Sequence, residues 1–136
     1  MHEGVLVGTR FYASVESLGH DRAKARIVAA SGEETVRTSV FDTVRGDSWP
    51  DGITGRALHN DFTARWHASE RELGGAIDNE MARYQAAAAP GDVDTAVVFT
   101  GGGTDLINDL PSAGEIGTRL VYEAERALRP AVGRVV

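Results

Sequence analysis

The residues best placed to do chemistry sit at the ends of two short apolar runs. Gly4-Val5-Leu6-Val7-Gly8 leads directly into Thr9-Arg10-Phe11. A strand that ends in Gly-Thr presents successive backbone amides. Glycine lets that backbone approach an anion closely, and a following helix adds its dipole. In α/β barrels the loops after the last strands often hold phosphate. Gly8 and Thr9 are therefore candidate phosphate-binding residues, although an ordinary strand-to-loop turn would look the same. The second candidate is Thr100-Gly101-Gly102-Gly103-Thr104, which follows Val97-Val98-Phe99. A P-loop would continue Gly-Lys-Ser/Thr, whereas Asp105-Leu106 follows here, and Gly-x-Gly-x-x-Gly is not matched. Asp105 would also repel a phosphate, so this loop reads as a flexible turn.

Other chemistries find weaker support. The histidines are His2, His20, His59 and His67, with no His-Glu-x-x-His or His-x-His pair among them. His59 and His67 lie eight residues apart without a supporting carboxylate at ligand spacing, which is a poor basis for a metal site. Gly-x-Ser-x-Gly is absent, so no nucleophile elbow is visible. Asp42, Glu70, Glu72 and Asp78 read as solvated faces. With no cysteine, disulfides, thiolate metal sites and a cysteine nucleophile are excluded.

The bulk properties narrow the class. A chain of 136 residues suits one domain, and 42% hydrophobic with 25% charged residues is an ordinary globular balance. The net charge of -6 and the scattering of arginines among acids argue against a nucleic-acid partner. Lys24 is the only lysine, a compositional bias rather than a functional signal. No apolar run approaches the roughly 20 residues that a membrane helix needs. The opening residues lack a secretory pattern, so a cytoplasmic protein is expected.

The elements that must position these residues can be read from periodicity. Gly4 to Gly8 has the pattern of a strand buried on both faces in a parallel sheet, which needs neighbours on each side. Ser14 is placed to cap a helix running to about Ala30, with Val15, Leu18, Ile27 and Val28 as its apolar positions, stopped by Ser31-Gly32. Thr35 to Phe41 alternates like a half-buried strand, and Trp49-Pro50-Asp51-Gly52 is a turn signature. From Asn60, Phe62, Trp66, Leu73, Ile77, Met81 and Tyr84 recur at near-helical spacing, with a break expected at Gly74-Gly75 and an end at Pro90-Gly91. Ser112-Ala113-Gly114-Glu115 is a capping box. It opens a helix with Ile116, Leu120, Ala124, Ala127 and Leu128 on one face, ending near Pro130.

Five segments in order carry a resemblance: Gly4 to Phe11, Thr35 to Asp42, Thr54 to Asn60, Phe62 to His67 and Leu110 to Ile116. Over about residues 4 to 130 the chain resembles the C-terminal portion of nitronate monooxygenases, the former 2-nitropropane dioxygenases. The resemblance implies an α/β fold: a C-terminal fragment of an FMN-binding TIM barrel, mostly helical by itself. Residues 1–31 would be the last barrel strand and its helix, 32–105 an added α+β segment near the active-site mouth, and 106–136 a late helix packing on the barrel. It implies oxidation of alkyl nitronates with O2 on FMN, and it places Gly8 and Thr9 where backbone amides hold the FMN phosphate. The family's catalytic histidine and glycine-rich flavin loops belong to the part before this segment, and none of the four histidines here matches that histidine. Asp105 also departs from the family's Gly-x-x-x-Gly-Leu-Ile pattern, which Gly101 and Leu106-Ile107 otherwise fit.

A complete barrel takes about 250 residues, so three readings follow. The chain is a truncated or mis-started flavoenzyme, inactive alone; or one half of a split enzyme whose barrel portion is a separate chain; or a non-catalytic α+β interaction module.

Overall fold

The structure, a computed structural model, describes residues 5–50 and 52–132. In chain order the helices are α1 (Gly8–Tyr12), α2 (Asp21–Ala29), α3 (Val40–Arg45), α4 (Asp61–Trp66), α5 (Glu70–Gly75), α6 (Ile77–Ala88) and α7 (Ala113–Val132). Two strands, β1 (Thr35–Thr38) and β2 (Gly55–Leu58), form an antiparallel pair with Thr35 opposite Leu58 and Thr38 opposite Gly55. The chain is thus mostly helical around one small sheet, which Phe99 extends by a single bridge to Ala57.

Two apolar clusters hold these elements. In the first, Val40, Phe41 and Val44 of α3 meet Phe62 and Trp66 of α4, Leu73 of α5 and Tyr84 of α6. Its centre is aromatic: Phe41 stacks on Phe62 with centroids 5.5 Å apart, and Tyr84 meets Phe62 edge-on at 5.8 Å. Such pairs add to plain area burial. The second cluster packs Ala23 and Ile27 of α2 against Leu58, Val98 and Ile107, under the glycine-bearing loops.

Several expectations change here, each for a physical reason. No strand forms at Val5 to Gly8; Gly8 already begins α1, and Gly4 lies outside the described residues. Val5 and Leu6 are 86% and 101% exposed. A strand is held by bonds to its neighbours, and no strand among the described residues lies beside this segment. The helix expected from Ser14 starts later. Ser14 Oγ donates to the Phe11 carbonyl, and His20 caps α2 by accepting from Arg22 N. The strand expected through Phe41 stops at Thr38, because Val40 and Phe41 are both buried. Consecutive residues cannot face one side of a strand, but they can share the broad core-facing side of a helix.

The long helical stretch after Asn60 is three helices. The first break, at Ala68 with φ 69°, carries no glycine; the second, at Ala76, follows Gly74-Gly75 as expected. The turn near Trp49 is closed by a bond from Ile53 N to the Pro50 carbonyl, with Asp51 outside the described residues. Finally, α7 runs past Pro130 to Val132. Among the described residues no helix is long and apolar enough to cross a membrane.

Candidate functional site

The two glycine-bearing ends, read separately from the sequence, meet. Leu6, Val7, Gly8 and Thr9 line one side of a cavity of about 190 Å³, and Gly101 and Gly103 line the other. A direct bond joins them: Gly101 N donates to Thr9 Oγ1 at 2.9 Å across 92 residues of sequence. Gly8 and Thr9 are the first two residues of α1, whose N-cap, Val7, offers no side-chain acceptor. The leading amides of a helix have no intrahelical partner. Among the described residues no side chain or loop carbonyl accepts from Gly8 N or Thr9 N. A Cβ added at Gly8 would meet nothing within 4 Å, so the backbone there is open to a ligand.

The packing beneath the cavity is specific. Thr104, 1% exposed, donates from Oγ1 to the Ile27 carbonyl at 3.4 Å. Asp105 does not line the cavity; its Oδ1 accepts from Gly32 N at 2.8 Å. Gly32 is needed for that approach, since a Cβ there would lie 2.6 Å from Asp105 Oδ2 and 2.7 Å from the Gly102 carbonyl oxygen. The acid that argued against an anion is therefore engaged elsewhere, anchoring the glycine loop to the end of α2.

Arg10, next to Thr9, also borders the cavity, but its charge is committed. Its guanidinium donates to Asp109 Oδ1 at 2.8 Å, to the Asp109 carbonyl at 2.6 Å and to the Ala13 carbonyl at 2.6 Å. Arg119 of α7 reaches the other carboxylate oxygen at 2.5 Å. Asp109 is held below the usual carboxylate range, first by the bond from Arg119 and then by that from Arg10, while Asp109 raises Arg119. Arg10 thus ties α1 to the segment before α7. Nothing in its sequence context signalled this role.

Among the described residues, no histidine lines the cavity. His20 caps α2 and lies against Gly91, a glycine at φ 71° whose added Cβ would fall 2.2 Å from the His20 ring. His59 N donates to the Glu34 carbonyl, His67 Nδ1 is 4.0 Å from Glu70 Oε1, and His2 lies outside the described residues. No group of three or more His, Asp or Glu side chains gathers to hold a metal among the described residues. Of the acids read as solvated, Asp42 is instead buried. A buried cluster that sequence reasoning missed is Glu80, 6% exposed, which accepts from Trp66 Nε1 at 3.1 Å and pairs with Arg65 at 3.3 Å. Glu80 lies on α6 and these partners at the end of α4, and neither helix alone reveals the pairing.

No protein-family model matches the chain. Over 130 residues it is 28% identical to the nitronate monooxygenase of Neurospora crassa, covering 93% of this chain and 33% of that protein. Among solved structures it superposes on FabK from Thermotoga maritima with a TM-score of 0.73 and 26% identity, covering 94% of this chain and 39% of that one. A mutant of that FabK gives a TM-score of 0.64 at 25% identity. The chain therefore spans 33% to 39% of these matched proteins. Both likenesses define one class, the flavoenzymes built on a TIM barrel. Within it, the chain is similar to the C-terminal portion of nitronate monooxygenases.

Proposed function

We propose that this chain supplies the phosphate end of an FMN site in an oxidoreductase that oxidises alkyl nitronates with O2. The observation that carries the reading is the cavity where Gly8 and Thr9 meet Gly101 and Gly103, with the amides of Gly8 and Thr9 free of other described acceptors. The donors suit a phosphate: unpaired amides at a helix start, in a glycine-lined cradle without an acid. FMN, when bound, supplies the redox chemistry between nitronate and O2. This chain's part is to bind and orient: Gly8 and Thr9 donate to the phosphate, Thr9 Oγ1 holds the Gly101 loop in place, and Asp105 fixes that loop from behind. None of the four histidines matches the family's catalytic histidine, so the isolated chain is expected to turn over no nitronate.

The partner in this reading is the rest of a barrel. Val5 and Leu6 are fully or nearly fully exposed, and Val121 and Leu128 of α7 are 62% and 63% exposed. These surfaces favour a chain that packs on further barrel structure over a free-standing interaction module.

The test compares FMN with riboflavin, followed by flavin fluorescence on the folded chain. A phosphate site predicts that FMN binds about tenfold or more tightly, the ratio for roughly 1.4 kcal/mol. Thr9→Pro, tolerated in a first helical turn but lacking the amide, should erase that preference. Equal binding of the two flavins, or no binding, removes the assignment.

A further inference from the structure

Between β1 and β2, the α3 region carries a second cavity that the flavin reading does not use. It measures about 220 Å³ and is lined by Ser39, Asp42, Thr43, Asp47, Ser48, Trp49 and Ile53. Asp42 is only 8% exposed, yet among the described residues no donor and no cation reaches its carboxylate. An acid in the first turn of a helix gains from the helix dipole, but that leaves its oxygens without partners. Neither oxygen is sealed off from solvent, so the carboxylate opens onto the cavity that it lines.

The nearest cation is engaged elsewhere. Arg45 pairs with Asp47 Oδ2 at 3.2 Å, and its guanidinium carbon lies 5.6 Å from the centre of the Phe99 ring. The cavity is thus lined by two acids, Asp42 and Asp47, and by no base, with Arg45 paired to Asp47 alone. The remaining walls are of two kinds. Ser39 and Ser48 hydroxyls make no bond to another described residue, while Trp49 and Ile53 present apolar surface, 60% and 53% exposed. A carboxylate beside hydroxyls and an open indole is the chemistry that recognises a protonated amine: charge-assisted bonds to the ammonium, and ring contact with the cation or its alkyl stem.

We propose that this cavity binds a small organic ammonium ion, seated on Asp42 and against Trp49. The site stands independently of the flavin assignment, because it shares no residue with the Gly8–Gly103 cavity.

The test titrates n-propylammonium chloride into the full chain and follows amide and indole signals by NMR at fixed ionic strength, with 1-propanol and sodium chloride as controls. The expected result is a saturable shift at residues 39–49, including the Trp49 indole, with Kd on the order of 1 mM. Asp42→Asn should weaken it by about tenfold, the scale of a lost charge-assisted bond. Trp49→Ala, at an exposed position, weakens it in a chain whose thermal unfolding is unchanged, which covers the case where Asp42→Asn does not fold. Linear shifts without saturation, equal shifts with 1-propanol, or unchanged affinity in Trp49→Ala would overturn the proposal.

Discussion

The α3–α6 region and α7 treat their apolar residues in opposite ways. In the first, Phe41, Val40, Val44 and Leu73 are at most 1% exposed, and three aromatic rings close the centre. In α7, Ile116 is buried at 3%, but Leu120, Val121, Tyr122 and Leu128 range from 37% to 63% exposed. Yet α7 is well anchored at its start. Glu115 Oε2 accepts from Ser112 N at 2.9 Å, Glu16 Oε2 accepts from Ala113 N at 2.9 Å, and Arg119 holds Asp109. One region completes its own core; the other is positioned, with an apolar side left open. On the proposed reading, that side and Val5-Leu6 rest on the remainder of a barrel.

The largest effect that could break this contrast is in the aromatic core. Phe41→Ala should cost about 3–5 kcal/mol, since truncation there leaves a cavity between Phe62 and Tyr84. A urea melt that moved by less than about 1 kcal/mol would show the core to be loosely packed. Next comes Asn60, whose side chain caps α4 by accepting from Thr63 N and donates to the Val93 and Ala96 carbonyls. Asn60→Ala should cost about 2 kcal/mol, the upper end for a lost cap.

Smaller again is the response to acid. Glu34 is held below its ordinary 4.5, first by the Ser31 amide and then by Arg26. A depressed folded pKa means that this stabilisation is complete above pH 4.5 and is lost as pH falls through the lower folded value. Thermal unfolding should therefore drop on acidification below about pH 5, and Glu34→Gln should flatten that slope. The smallest effect sharpens the comparison: Leu128→Ser in the free chain should change stability by less than about 0.5 kcal/mol. A cost of about 2 kcal/mol would mean that the α7 side is already covered.

Which features were legible in the sequence follows from how local their causes are. The Ser112–Glu115 capping box and the Asn60 start of α4 lie within four residues, and both are present. The stop at Pro90-Gly91 rests on one glycine at φ 71°. Where a feature depended on distant partners, reading failed. Gly4 to Gly8 has the composition of a buried strand, but composition alone supplies no neighbours. β2 is only four residues long and shows no alternation that would announce it. For the candidate site, Gly8 and Thr9 were visible as a pattern, whereas their meeting with Gly101 was not, because it spans 92 residues. Asp105 likewise reads as an obstacle until Gly32 is seen to take its carboxylate.

The central claim is that this chain holds the phosphate of FMN. It is tested most directly by recording amide shifts of the labelled chain as FMN is added. The account predicts saturable shifts led by Gly8, Thr9, Gly101 and Gly103, and much smaller ones with riboflavin. Shifts centred elsewhere, or equal for the two flavins, would contradict it.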